Sequence, residues 1–252
     1  MERTQTELIE MLAKAKRVMV FTGAGASKES GLPTFRDIDG EWSRYDPMTF
    51  ATLEGFLAHP AEVWNMYRMR QRQIASAQPN SAHAVIASME LYYSDFLLVT
   101  QNVDDLHERA GSRKLVKIHG DCWKMRCVNC DSVSDTREFD FPDEFAPDNL
   151  PTCPLCNKLC RPNIVWFGEY VPHEAMTAAV NAASNCDLML IVGTSGEVSG
   201  GYGFIERACA NGAKIIEVNP SAGHLTHHAD VWIAEPAGVA LPGIWQHVEC
   251  KR

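Results

Sequence analysis

No run in this chain approaches the ~20 apolar residues that a membrane span needs. The opening stretch, MERTQTELIEMLAKAKR, has no apolar core of the kind a secretion signal carries; it mixes acids with bases and reads as an amphipathic helix. Basic charge is short. The 23 Lys and Arg face 32 Asp and Glu, a net charge of −9, which excludes a broad basic surface for nucleic acid. There is no internal repeat and no low-complexity tract. Cysteine is too sparse for a disulfide scaffold, at nine in 252 residues, and nine is an odd number. With 46% hydrophobic and 22% charged residues, the chain can build a sizeable core. Its length allows one large domain or two modest ones.

Five of the nine cysteines crowd together: Cys127-x-x-Cys130, Cys153-x-x-Cys156 and Cys160. Without an export signal, a reducing compartment, the cytoplasm, is expected, and there metal is favoured over disulfide. Two CxxC knuckles can place four thiolates on one tetrahedral ion, and soft sulfur ligation favours zinc. One zinc ion per chain on Cys127, Cys130, Cys153 and Cys156 is the expectation. Redox-active or merely buried cysteine is the alternative, and Cys160 falls outside the regular spacing.

Four short apolar runs read as buried strands: residues 17–22, 97–100, 188–193 and 214–218. Helical patterns lie between them, at 175–183 and 203–211. Such alternation implies an α/β fold, a Rossmann-like parallel sheet with helices on both faces. Ligands of such sheets bind at the carboxyl ends of the strands. Here those ends carry Gly23-Ala24-Gly25, Gln101-Asn102, Gly193-Thr194-Ser195 and Asn219. Two stretches break the rhythm. One is 36–78, rich in aromatics and methionine and expected to be helical; the other is 122–160, with the cysteine pairs. Both read as insertions that form a smaller helical and zinc-ribbon domain, leaving 1–35, 79–121 and 161–252 as the Rossmann-like domain.

Gly23-x-Gly25 after a strand begins like a dinucleotide fingerprint, in which the second glycine lets backbone approach a pyrophosphate. The third glycine is missing, because Lys28 stands there, so a hydride-transferring dehydrogenase is a weak reading. A plain strand–helix turn is the alternative. The continuation through Ser30, Gly31, Pro33 and Arg36 is too rich in breakers for a simple helix and reads as a loop able to fold over a ligand.

The stretch GAGASKESGLPTFRD resembles the first signature of the sirtuins, NAD-dependent protein deacylases, and TQNVDDLHERAG resembles the second. Lys117-Ile118-His119-Gly120 is similar to the family's catalytic-histidine motif, and residues 161–169 (RPNIVWFGE) to its substrate-binding motif. The resemblance implies NAD as cosubstrate, acyl-lysine proteins or peptides as partners, and nicotinamide and O-acyl-ADP-ribose as products; the sequence itself does not reveal the oligomeric state, and a monomer is the expectation. It implies His119 as general base, a task that suits a side chain whose pKa is about 6.5. It places Gly23, Ala24, Gly25, Ser27, Phe35 and Arg36 on the cofactor loop. Gln101, Asn102 and Asp104 go to the nicotinamide ribose and carboxamide, and Gly193, Ser195 and Asn219 to the adenosine half. An amide needs both a donor and an acceptor, which Asn102 and Asp104 can offer, although a local Asx turn would use the same residues. His107 is expected to pack or cap locally.

On the substrate side, Val165, Phe167, Gly168 and Glu169 resemble the strand that receives the peptide by β-augmentation. Core packing is the other reading of the aromatics there. Gly200 stands where many relatives place proline. Tyr67 and Arg70, three apart on an expected helix, resemble the pair of sirtuins that prefer succinyl and malonyl groups, with Ala51 as the small residue that widens the pocket. Arg70 offers a fork for a carboxylate and Tyr67 a further donor. Packing of Tyr67 beside a solvated Arg70 is the competing reading. Two other functions share these motifs: protein mono-ADP-ribosylation, and a non-catalytic zinc-containing peptide-binding module.

Overall fold

The structure, a computed structural model, describes residues 2–34, 46–197 and 202–250. Six parallel strands form the main sheet in the order β3-β2-β1-β7-β8-β9. They are β1 Arg17–Thr22, β2 Asp95–Thr100, β3 Leu115–Lys117, β7 Leu188–Val192, β8 Lys214–Val218 and β9 Val231–Ile233. The chain first winds outward from β1 to β3. It then restarts at β7, on the other side of β1, and winds outward to β9. The order therefore reverses between β1 and β7, where such sheets leave a crevice for a ligand.

Alternation along β1 divides the interior. Val18 and Val20 enter one core with Leu8, Leu12, Ile86 and Trp245, while Met19 and Phe21 enter the other with Val99, Ile191 and Phe204. Helices Glu2–Lys14, Ser81–Tyr92 and Ala237–Glu249 cover the first face. Helices His173–Asn185 and Phe204–Ala210 cover the second. A strand buried on both faces must be apolar throughout, which is why RVMVFT reads as a continuous run.

A second, antiparallel sheet has the order β5-β4-β6, with β4 Gly120–Cys127, β5 Val133–Asp135 and β6 Cys160–Ile164. β4 crosses the 121/122 boundary expected from sequence, because Gly120 pairs with Ile164 before a bulge and Met125 with Pro162 after it. Helix Pro60–Ser76 packs on this sheet through Trp64, whose indole N–H donates to Cys160 O at 2.9 Å, and Gln71, whose amide donates to Cys122 O at 2.7 Å. A third core joins Ala51, Phe56, Trp64, Tyr67 and Ile74 to Cys122, Cys127, Phe145, Cys160 and Trp166.

Candidate active site

The crevice floor is made of strand ends locked to one another. Gly23 N donates to Val192 O at 3.0 Å, Gly25 N to Gly193 O at 2.8 Å, and Gln101 N to Thr22 O at 2.9 Å. A Cβ on Gly25 would lie 2.8 Å from Gly193 Cα, and one on Gly193, at φ +61°, would lie 2.4 Å from Ala26 N. In this chain the glycine pair is required first by the contact between the loops after β1 and β7. Ala24 leads into a four-residue helix, Gly25–Lys28, and Lys28 points to solvent at its end.

Ser27 is the hub of the buried side of the crevice. Its hydroxyl donates to Asp104 Oδ2 at 3.0 Å and accepts from Asn102 Nδ2 at 3.1 Å. Asp104 Oδ1 accepts from Leu106 N at 3.1 Å. The resemblance gives Asn102 and Asp104 to the nicotinamide ribose and carboxamide; in the structure the two are cross-linked through Ser27. His83, absent from that reading, lies 3.5 Å from the same hydroxyl. Its Nδ1 accepts from Asn80 N in a capping box, so its proton is on Nε2 and faces Ser27. Burial pushes His83 down to about 4, against a partial opposing pull from Asp104, and it remains neutral. His107 packs locally: its ring lies 4.6 Å from that of His83, and Nε2 is 3.2 Å from Thr22 Oγ1.

His119 sits between β3 and β4. Its Nδ1–H donates to Gln101 O at 3.1 Å, which leaves Nε2 as the unprotonated nitrogen, 2.6 Å from the Tyr202 hydroxyl. Burial lowers the His119 pKa, and the Gln101 carbonyl partly opposes this. Gln101 turns its side chain away, accepting from Thr194 Oγ1 at 2.7 Å, and Asn219 Nδ2 donates to Thr194 O at 3.1 Å. Thr194 thus ties Gln101 to Asn219, a role the sequence did not single out. Ser195 O accepts from His224 N at 3.0 Å. Phe35, Arg36 and Gly200 lie outside the described residues.

The segment expected to be the peptide-receiving strand differs. β6 ends at Ile164, and Val165, Phe167, Gly168 and Glu169 form the turn that follows it. The break has a local cause. Gly168 takes φ +84°, and the Glu169 carboxylate folds back to accept from Trp166 N at 2.9 Å. The same carboxylate is gripped by both terminal nitrogens of Arg161, which is 3% exposed and stacks 3.6 Å from the Trp166 ring centroid. Glu169 therefore shapes the turn. Val165 N donates to His119 O and Phe167 N to Ala51 O, both at 2.9 Å, so the turn bridges His119 and Ala51. Trp166 Nε1 donates to Tyr67 Oη at 2.9 Å, and burial pushes the Tyr67 phenol well up, so it keeps its proton. Arg70, also buried, donates to Pro33 O and to Gln73 Oε1, both at 3.3 Å. The structure brings Ala51, Tyr67 and the 165–169 turn together, with Arg70 on the same buried helix face, turned toward Pro33.

The four predicted metal ligands meet. The sulfurs of Cys127, Cys130, Cys153 and Cys156 lie within 4.8 Å of one another, with separations of 3.4, 3.6 and 3.7 Å between three of the pairs. A Zn–S bond of about 2.3 Å puts sulfurs about 3.8 Å apart on a tetrahedron, so the cluster fits zinc. Asn129 N and Leu155 N donate to the first sulfur of each knuckle, as suits thiolates. Cys160 is buried in the neighbouring core and outside the cluster.

Residues 23–200 match the model of the Sir2 family. The chain is 44% identical over 241 residues to NAD-dependent protein deacylase 1 of Pseudomonas aeruginosa, spanning 93% of this chain and 95% of that one. It is 45% identical over 240 residues to NAD-dependent protein deacylase 2 of Pyrobaculum aerophilum, spanning 95% and 94%. Among solved structures, a Sir2 homologue–NAD complex superposes with a TM-score of 0.89 at 36% identity, covering 98% of this chain and 94% of the other. A mutant Sir2 homologue bound to ADP ribose gives a TM-score of 0.90, also at 36% identity, covering 97% and 96%. Fold, motif order and relatedness over nearly the whole length agree, and the chain belongs to the Sir2 family.

Proposed function

We propose that this chain is an NAD-dependent protein lysine deacylase that removes succinyl and malonyl groups and also acetyl, with His119 as general base. NAD supplies an electrophilic ribose carbon that takes the acyl oxygen as nicotinamide leaves, and a ribose hydroxyl on which the acyl group ends once water has released the lysine amine. The observation that carries the reading is the state of His119. The Gln101 carbonyl fixes the proton on Nδ1, and burial keeps the ring neutral, so Nε2 is ready to take the proton of a ribose hydroxyl. Ser27, Asn102 and Asp104 give the crevice donors and acceptors side by side for a carboxamide.

The acidic-acyl preference rests on Tyr67 and Arg70. A succinyl carboxylate buried without a partner is costly, and a buried guanidinium with a protonated phenol one helical turn away supplies charge-assisted partners. Ala51 adds little bulk beside them. A four-thiolate metal cluster suits a reducing compartment, and we place the enzyme in the cytoplasm as a monomer acting on acylated proteins. Among the described residues no helix is long and apolar enough to cross a membrane.

The test is turnover of one peptide carrying acetyl-, succinyl- or malonyl-lysine, with NAD, followed by mass spectrometry of the products. O-acyl-ADP-ribose is expected, and His119→Ala should lose about 10²–10⁴-fold of the rate. ADP-ribosylated protein as the sole product, or near-normal turnover in His119→Ala, would overturn the reading.

A further inference from the structure

An imidazole has two ring nitrogens, and in this structure both of His119's are engaged. Nδ1 donates to a backbone carbonyl, and the Tyr202 hydroxyl lies 2.6 Å from Nε2, a short O–H···N contact. A ribose hydroxyl that is to lose its proton to His119 must reach the same Nε2. The two hydroxyls compete for one lone pair.

Tyr202 is placed for this contact. Its ring lies on Phe204, with centroids 5.7 Å apart, and Phe204 is fully buried edge-on against Phe21 of β1 at 5.6 Å. The ring also meets that of His119 at 5.9 Å and 61°. The backbone is strained to achieve it: Tyr202 has φ +60°, a region that costs a bulky side chain, and Gly203 follows at φ +69°. One neutral hydrogen bond changes an equilibrium by roughly 2- to 10-fold. The contact is therefore held closely enough to form and weakly enough to be displaced.

We propose that Tyr202 is a positioning residue acting through His119. In the NAD-free enzyme its hydroxyl stands in for the ribose hydroxyl on Nε2, keeping the base in its working tautomer, and NAD binds by displacing it. Tyr202 thereby sets the affinity for the ribose-bearing cosubstrate. The inference rests on the reading of His119 as the base that meets the ribose.

Tyr202→Phe keeps the ring on Phe204 and removes the competing hydroxyl. Calorimetry with ADP-ribose, which retains the ribose hydroxyls, should show Kd falling roughly 2- to 10-fold, and kcat/KM for NAD should rise by the same factor through KM. In ¹⁵N spectra of the NAD-free protein, the His119 Nε2 signal should move in Tyr202→Phe; in the unaltered protein it should move on adding ADP-ribose. An unchanged or weaker Kd overturns the proposal. So does a tenfold or greater loss of kcat at saturating NAD, which would make the hydroxyl part of the proton path. Calorimetry and spectra need no turnover, so a failure here is distinguishable from a failure of the His119→Ala assay, which tests the base itself.

Discussion

Removing the Glu169 carboxylate should destabilise the protein more than any loss of surface charge would. Arg161 is 3% exposed and Glu169 21%, and the guanidinium gives both terminal nitrogens to the carboxylate. In Glu169→Ala the cation remains buried, with only the Pro162 and Ile164 carbonyls as acceptors and the Trp166 face above it. Breaking such a pair from one side costs about 3–5 kcal/mol; because Glu169 reaches some water, the lower end, about 3 kcal/mol, is expected. For a chain of this size that corresponds to about 6–12 °C in Tm. Adding Arg161→Met should recover part of the loss, since no unpaired charge is then buried, although the two carbonyls lose their donor. The pH dependence gives a second reading. Burial alone would raise the Glu169 pKa, but bonds from Arg161 and Trp166 N outweigh it and hold the carboxyl below the ordinary range. A depressed carboxylate contributes fully above its unfolded pKa of about 4.3, and the contribution is lost as pH falls through the folded value. The Tm gap between the parent and Glu169→Ala should therefore be full above about pH 5 and narrow at more acid pH. Differential scanning calorimetry from pH 3 to 8 measures both. A gap below about 2 °C at pH 7, or one indifferent to pH, would refute the argument.

Arg70→Met should raise KM for a succinyl-lysine peptide about 10- to 100-fold, the worth of charge-assisted hydrogen bonds, and change acetyl-lysine turnover little; a parallel fall on both substrates would leave a plain deacetylase. Elemental analysis should find one zinc per chain, and Cys127→Ser or Cys153→Ser should lose the metal and lower Tm; unaltered melting without metal would refute the structural role. Because burial lowers the His119 pKa, neutral base persists to more acid pH. The acid limb of kcat/KM should accordingly fall below pH 6.5, and a limb at or above 6.5 would contradict the environment described for the ring.

What the sequence disclosed follows the range of each interaction. β1 and β8 occur where their apolar runs lie, because strands buried on both faces admit little else. β2 starts two residues earlier than its run, since Asp95 pairs with Arg17 at an exposed end and carries no hydrophobic signal. The three-residue strands β3 and β9 are too short for any periodicity and exist because a neighbour offers its edge. β4 was illegible because a bulge interrupts its alternation. Around the strand ends, motifs singled out His119, Asn102 and Asp104 as candidates, and the spacing of four cysteines foretold their cluster. The motifs did not disclose Tyr202 on His119, 83 residues away, or His83 beside Ser27, 56 residues away. Asn80-x-x-His83 does have capping-box spacing, but with histidine in place of the usual Glu or Gln. The extended strand expected over 165–169 failed because the Arg161 and Glu169 side chains, eight residues apart, fold the segment back on itself.

The third core, built from residues 51–77 and 122–166, has a consequence for how the chain is made. Trp64 emerges from the ribosome long before Cys160, whose carbonyl its indole will bind, and Phe56 and Ile74 wait for the same surface. At about 5–20 residues per second, that interval is roughly 5–20 s. One edge of β1 finds β2 sooner, but the other waits longer still, since Val18 pairs with Leu188 on β7. During synthesis the helix Pro60–Ser76 is thus an orphan with its apolar face bare, and a nascent chain stalled between these points presents Trp64, Phe56 and Ile74 to whatever binds unfolded proteins.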